Sequence, residues 1–313
     1  MQGLELCRAY FETWGRPMLE REFPELLPLV AAGLMGSGSE CLGYDDEISR
    51  DHDFEPGFCL LLPEEAAVDR RTAFLLERAY AKLPKTFMGF TRSALSPAGG
   101  PRHGVWRTAE FFTEKLGAPD GCLTLQQWLT LSPQTLLEAS GGTIFYDGLG
   151  EVTAIRQRIS RFPEAVRRKR LAGQLLLMHQ AGPYNYPRCL ARRDPAAAQL
   201  ALGEYVRHTL STAFLLENVY EPYYKWAFRG LRALPVMKDM APLLEYLLTA
   251  DNEGDRPEIK AGLMEDIGDM CIESLRAQGL SAMECRDLSR HACSVNDRIR
   301  EDEVRLLHIL CTV

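Results

Sequence analysis

The sequence predicts an α+β protein in two parts, a mixed α/β part over residues 1–160 and an all-helical part over residues 161–313. Three observations carry this expectation. Short apolar runs bounded by glycine, serine and proline, the pattern of buried strands, all fall before Val152. From Val152 onward the apolar residues recur at helical spacing instead, so the boundary falls around Arg158 to Pro163. A chain of 313 residues also suits two domains of ordinary size, each large enough to bury its own core.

Taken in order, Leu4 to Trp14 places apolar residues at helical spacing, and Pro17 is expected to interrupt that helix. Pro28 opens the run Leu29 to Met35, which is short, ends at a Gly/Ser cluster and reads as a buried strand. Phe58 to Leu62 reads as a second strand, and Glu64 to Leu83 as a helix. Leu95 to Arg102, with two prolines and two glycines, is a loop. Gly104 to Thr108 and Thr143 to Tyr146 supply the third and fourth strands. Helices are expected at Leu171 to Met178, Ala196 to Leu216, Met240 to Leu248, Ile259 to Ala277, and Ala282 to Leu310 with a break near Asn296.

Composition narrows the function. A formal net charge of −7 and a pI near 5.5 argue against a dedicated nucleic-acid coat protein, although a local basic surface is compatible with both. Nine cysteines contain no C-x-x-C pair, which excludes the zinc-knuckle and thioredoxin-like spacings. Met1 to Glu5 lacks the basic segment and apolar run of a secretory leader, and no stretch approaches the ~20 apolar residues of a membrane span. A soluble, cytoplasmic protein with reduced thiols and no membrane partner is expected.

The chemically informative stretch runs from Gly36 to Phe54. Gly36, Ser37, Gly38 and Ser39 end the first strand in small residues, which lets backbone N–H groups approach an anion such as a triphosphate. Such runs are also ordinary turns. Asp51 and Asp53 follow, and on a strand two residues so spaced project from one face. Paired carboxylates repel unless a cation lies between them, and magnesium takes carboxylate and phosphate oxygens as ligands. In two-metal nucleotidyl transfer one ion activates the attacking oxygen and the other steadies the leaving pyrophosphate. A solvated acidic loop is the alternative, given Glu40, Asp45, Asp46, Glu47 and Glu55 nearby.

An apolar residue, Gly-Ser, a spacer, then Asp-x-Asp and an apolar residue is the signature of polymerase-β-like nucleotidyltransferases. Met35-Gly36-Ser37, thirteen intervening residues and Asp51-His52-Asp53-Phe54 resemble it, as does Gly38-Ser39 with an eleven-residue spacer. Kanamycin and streptomycin nucleotidyltransferases share the pattern. Gly36 to Phe54, with Tyr223-Tyr224-Lys225-Trp226 later on, is similar to a bacterial nucleotidyltransferase-like family of unassigned function. The resemblance implies a small mixed sheet flanked by helices, a helical domain closing the nucleotide cleft, and a third acid on a neighbouring strand. Gly104 to Arg107 carries no carboxylate and has Trp106 where one is sought, which leaves Asp147 as first candidate and Glu110 as second. A turn aspartate is the plainer reading of Asp147, since Gly148 follows it.

Pro222 can start a helix with Lys225 in its first turn, where a cation is disfavoured unless an anion lies near. Related enzymes place a lysine of the helical domain on the triphosphate, which makes Lys225 the candidate here; an aromatic packing cluster with a snorkelling lysine is equally open. Arg156, Arg158, Arg161, Arg167, Arg168, Lys169 and Arg170 form a basic concentration that reads as a solvated helix face or a phosphate-attracting patch. His52 faces away from the aspartates, and His179 and His208 read as core or surface residues. The expected activity is transfer of a nucleoside monophosphate from an NTP, ATP foremost, to a hydroxyl of a small molecule, protein or RNA, with two magnesium ions. The alternative is a nucleotide-binding or antitoxin-like partner-binding protein with impaired catalysis.

Overall fold

The computed structural model describes residues 1–51, 54–92 and 103–313, with Arg50 and Asp51 described by backbone alone. The chain divides into two compact units, residues 1–127 with 131–160, and residues 128–130 with 161–313.

The first unit opens with α1 (Gly3–Tyr10) and α2 (Arg16–Glu22), joined by a π turn over Phe11–Gly15. Pro17 therefore does not stop the helix as expected. The wide turn just before it relieves the clash a proline ring makes with a carbonyl one α-turn back. Gly15 is required there by proximity, because a Cβ would lie 2.4 Å from Cζ of Phe58. The strands β1 (Ala31–Leu34) and β2 (Cys59–Leu62) fall inside the predicted apolar runs and are buried along their whole length. Between them lie α3 (Ser39–Leu42) and a 3-10 turn over Ile48–Asp51. After β2 come α4 (Arg70–Ala81), capped at Asp69 by the Thr72 N–H, and a small hairpin of β3 (Thr86–Phe87) and β4 (Phe90–Thr91). The unit continues with β5 (Gly104–Arg107), α5 (Thr108–Leu116), α6 (Leu125–Thr130, whose last three residues fall in the second unit), α7 (Pro133–Ser140), β6 (Thr143–Asp147) and α8 (Glu151–Arg158).

Four strands form one mixed sheet in the order β5-β2-β1-β6. Both neighbours of β1 run antiparallel to it, while β5 runs parallel to β2. The two central strands are covered on both faces, which is why they read as unbroken apolar runs rather than as alternation. Tyr10, Phe11, Phe58 and Tyr80 form the aromatic heart of this core, with Phe58 ring centroids 5.2 Å from Phe11 and 5.0 Å from Tyr80.

The second unit is helical. It holds α9 (Glu164–His179), a π turn over Gln180–Asn185, α10 (Tyr186–Ala191), α11 (Pro195–Leu216) and α12 (Tyr224–Arg232). α13 (Ala241–Thr249), α14 (Arg256–Ala277), α15 (Leu288–Asp297) and α16 (Asp302–Arg305) follow. The last predicted helix breaks after Asp297, close to where it was expected, but begins only at Leu288, where the Asp287 carboxylate accepts the Ser289 N–H. No helix among the described residues is long and apolar enough to cross a membrane.

The basic concentration around residue 160 is neither a solvated face nor a phosphate patch for four of its members. Arg167, Lys169 and Arg170 are buried, and each reaches backbone carbonyls at or just beyond the C-terminus of another helix. Arg167 donates to the carbonyls of Leu215 and Leu216 at the end of α11, at 2.7 and 2.9 Å. Arg170 donates to those of Trp128 and Leu129 at the end of α6, at 3.3 and 3.0 Å. The Lys169 ammonium, fully enclosed, meets Asn296 Oδ1 at 2.6 Å and the carbonyls of Arg305 and Leu307 at 3.1 and 2.9 Å. In the first unit Arg156 does the same for α7, donating to the carbonyls of Ser140, Gly141 and Gly142. A helix C-terminus exposes unsatisfied carbonyls and carries partial negative charge, which helps to balance a buried cation there; Arg167 also pairs with Glu164 at 3.4 Å.

Candidate functional site

The Gly36–Ser39 turn leaves the sheet where β1 ends. Gly36 has φ of 103° and Gly38 φ of 119° with ψ of 151°, backbone states that exclude other residues at little gain. A Cβ on Gly36 would meet nothing within 4 Å, so the glycine serves the backbone and leaves open space in front of it. The Cys41 thiol donates to the Ser37 carbonyl at 3.6 Å and Tyr44 N–H to the Ser39 carbonyl at 2.8 Å, which fixes the turn from behind. Gly142 packs against the same end: its φ is 73°, and a Cβ would stand 2.0 Å from the Leu34 carbonyl oxygen.

Strand direction decides what else gathers here. Gly33 pairs with Cys59, Cys59 with Gly104, and Leu34 with Thr143. β2, β5 and β6 therefore all begin at the end where β1 finishes. The five residues entering β2, Phe54 to Phe58, are each held. The Phe54 ring lies 4.8 Å from that of Phe90, and the Cys7 thiol donates to the Glu55 carbonyl at 3.5 Å. Arg92 Nε donates to the Pro56 carbonyl at 3.1 Å, and Gly57 sits beneath the His103 ring, where a Cβ would be 2.5 Å away. The Tyr80 hydroxyl donates to the Phe58 carbonyl at 2.8 Å and receives the Phe58 N–H at 3.1 Å.

Asp51 closes the 3-10 turn before this clamped segment, and its carboxylate is not described; Asp53 and His52 lie outside the described residues. The same-face argument for the two aspartates rested on a strand. At Asp51 that basis is corrected, since β2 does not begin until Cys59 and its four residues carry no acid. The neighbouring acids have structural work. Asp45 Oδ2 accepts the Gly3 N–H at 2.8 Å, and Glu40 packs on Gly3, so both stand at the positive end of α1. The other oxygen of Asp45 is buried without a hydrogen-bond partner.

Neither third-acid candidate reaches this end. Asp147 pairs with Ala31, the first residue of β1, five residues before Gly36, and so sits at the opposite end of the strands, roughly 16 Å away at ~3.3 Å per residue. Its Oδ2 accepts both the backbone N–H and the hydroxyl of Thr153, at 2.8 and 2.7 Å, which caps α8. Glu110 follows β5, which runs away from the Gly36 turn in parallel with β2, and stands exposed in the first turn of α5. Among the described residues no three His, Cys, Asp or Glu side chains are grouped to hold a metal ion.

A pair absent from the sequence reading occupies the clamped end instead. His103 Nε2 lies 3.6 Å from Glu55 Oε1, with 7% and 16% of the two side chains exposed. Forty-eight residues separate them, and only the parallel β2–β5 pairing brings them together. Nothing in the spacing announces it. His103→Leu should destabilise the first unit by about 1–2 kcal/mol, read as a lower denaturant midpoint. An unchanged midpoint would show that the pair does not hold the segment.

In the helical unit, α12 begins at Tyr224, two residues beyond Pro222, and Lys225 falls in its first turn. Lys225 Nζ lies 5.4 Å from the Trp226 ring centroid. His208 is a core residue: Nδ1–H donates to Gln174 Oε1 at 2.7 Å and Nε2 accepts from Arg207 at 3.2 Å. Burial first, then the Arg207 charge, pushes its pKa down to about 4, so the imidazole is neutral.

Residues 128–227 match the model of a family described as a domain of unknown function (DUF4037). The matched stretch includes Tyr223 to Trp226 and leaves out Gly36 to Phe54. No curated protein and no solved structure matches the chain.

Proposed function

We propose that this chain transfers a nucleoside monophosphate from an NTP, ATP foremost, to a hydroxyl of an acceptor. The observation that carries this reading is the convergence at one end of the sheet. A glycine-serine turn with open space before it leaves β1 where the clamped segment following Asp53 enters β2. The turn would present backbone N–H groups and the Ser37 and Ser39 hydroxyls to the phosphates. Asp51 and Asp53 would hold magnesium, which when bound neutralises the triphosphate and activates the acceptor oxygen. The contacts that hold Phe54 to Phe58 support this, because a metal ligand works best beside firmly held backbone.

A second reading has its own support. Neither Trp106 on β5 nor Asp147, at the other end of β6, supplies a third carboxylate beside the turn, and the two acids near it have structural partners, Glu40 packing on Gly3 and Glu55 facing His103. That favours a nucleotide-binding protein with impaired chemistry. Incubation with labelled NTPs, magnesium and cell extract separates the two. The transfer reading expects label to accumulate on one acceptor class. If no acceptor is labelled by any NTP while magnesium and ATP still raise the melting temperature, the binding reading replaces it.

A further inference from the structure

The stretch from Pro222 to Lys238 differs from the rest of this acidic chain. It holds four aromatic residues, Tyr223, Tyr224, Trp226 and Phe228, four basic ones, Lys225, Arg229, Arg232 and Lys238, and no carboxylate. The acids nearby are turned to other work. Glu221 is half-buried and accepts the Ser211 hydroxyl at 2.6 Å, and Glu217 accepts the N–H groups of Val236 and Met237. Arg232 is ion-paired with Glu245. Lys225 stays exposed beside the rings.

The aromatic residues are not a packing cluster. Tyr223 and Tyr224 are 54% and 75% exposed with ring centroids 4.4 Å apart, whereas α12 is anchored to its own unit by Ala227, Gly230 and Leu231. Two large adjacent rings left in water on a firmly held helix mark a contact surface rather than scattered exposure. Trp226, half-buried, is flanked by Lys225 at 5.4 Å and Arg229 at 5.7 Å.

We infer that the exposed Tyr223-Tyr224-Lys225 face of α12 binds single-stranded RNA. Bases stack on the two tyrosine rings, and Lys225 takes the adjoining phosphate. Exposed rings with a cation beside them match the bases and phosphates of a flexible strand, and ring stacking tolerates any base. An acidic peptide would use the cations but leave the rings idle. A membrane surface would want aliphatic side chains to insert, and those of α12 itself, Ala227 and Leu231, face inward. The surface stands on α12 alone and goes beyond the transfer reading.

The test is fluorescence anisotropy with a labelled oligouridine 12-mer over a range of NaCl concentrations, using the full chain. Saturable binding is expected, weakened about tenfold or more by Tyr224→Ala and retained by Tyr224→Phe, which keeps the ring. Lys225→Ala should flatten the dependence of log K on log salt by about 0.7. Circular dichroism melting should be unchanged in all three variants, since the replaced side chains are exposed. Asp53→Asn should bind the oligomer normally, which keeps this result separate from the fate of the transfer reading. The inference is overturned by no saturable binding, by binding indifferent to Tyr224→Ala, or by displacement of the oligomer by free ATP at equal concentration. Tyr224-dependent sedimentation with phosphatidylserine vesicles in place of RNA binding would overturn it in favour of a membrane surface.

Discussion

Asp51→Asn and Asp53→Asn should each reduce nucleotide transfer by about 10³-fold, or roughly 4 kcal/mol of transition-state stabilisation. The change is nearly isosteric and removes one negative charge, so the Gly36–Ser39 turn and the clamp behind Asp53 should be unaffected. On the proposed reading, what would be lost is the charge that holds a divalent cation against a triphosphate. The same loss should be visible without any acceptor. In the unsubstituted protein, NTP should raise the melting temperature more with magnesium than with a chelator, because a ligand bound only by the folded state stabilises it by mass action. Either substitution should erase that difference. A magnesium-dependent shift that survives in both variants would remove the pair from the metal site. Loss of the shift with transfer intact would instead assign the chemistry to other residues.

Lys169→Met should destabilise the helical unit by about 3–4 kcal/mol, the second large effect. Methionine fills nearly the same volume, so the cavity cost is small. The loss comes from three charge-assisted hydrogen bonds, which leaves Asn296 Oδ1 and the carbonyls of Arg305 and Leu307 buried with fewer donors. Burial lowers the Lys169 pKa, so part of the loss is offset by no longer enclosing a cation. Guanidinium denaturation followed by far-ultraviolet circular dichroism would read the change as a lower midpoint. An unchanged midpoint would mean that the three acceptors find other donors, and that the lysine is not what fastens the 296–307 segment to α9.

How much of this was legible depended on how local the cause was. β1 and β2 could be read from Leu29–Met35 and Phe58–Leu62 because a strand covered on both faces leaves an unbroken apolar run. α11 and α14 could be read because a long helix repeats its pattern many times. The two-residue strands at Thr86 and Phe90 are too short to leave a period. Pro17 was misjudged because a π turn leaves no mark in residue spacing. The arginines around residue 160 look solvated in sequence, since their partners are carbonyls, which no residue type announces. At the candidate site the Gly-Ser turn was visible as a local motif. The strand order and directions were not, and they alone place Asp147 at the wrong end of the strands and bring His103 to Glu55.

The enclosed lysine of α9 also orders events in time. A growing polypeptide presents Lys169 well before its acceptors, since Asn296 and Leu307 come 127 and 138 residues later. At about 5–20 residues per second that interval lasts roughly 7–28 seconds. Until it ends, the ammonium has no carbonyls to replace its water, and enclosing it would be costly. The central helix of the second unit therefore stays wet, and open to chaperones, until residues 296–307 are made. In the first unit the comparable cation, Arg156, is satisfied by carbonyls made only fourteen to sixteen residues earlier. Synthesis should then yield a folded sheet well before a folded helical bundle.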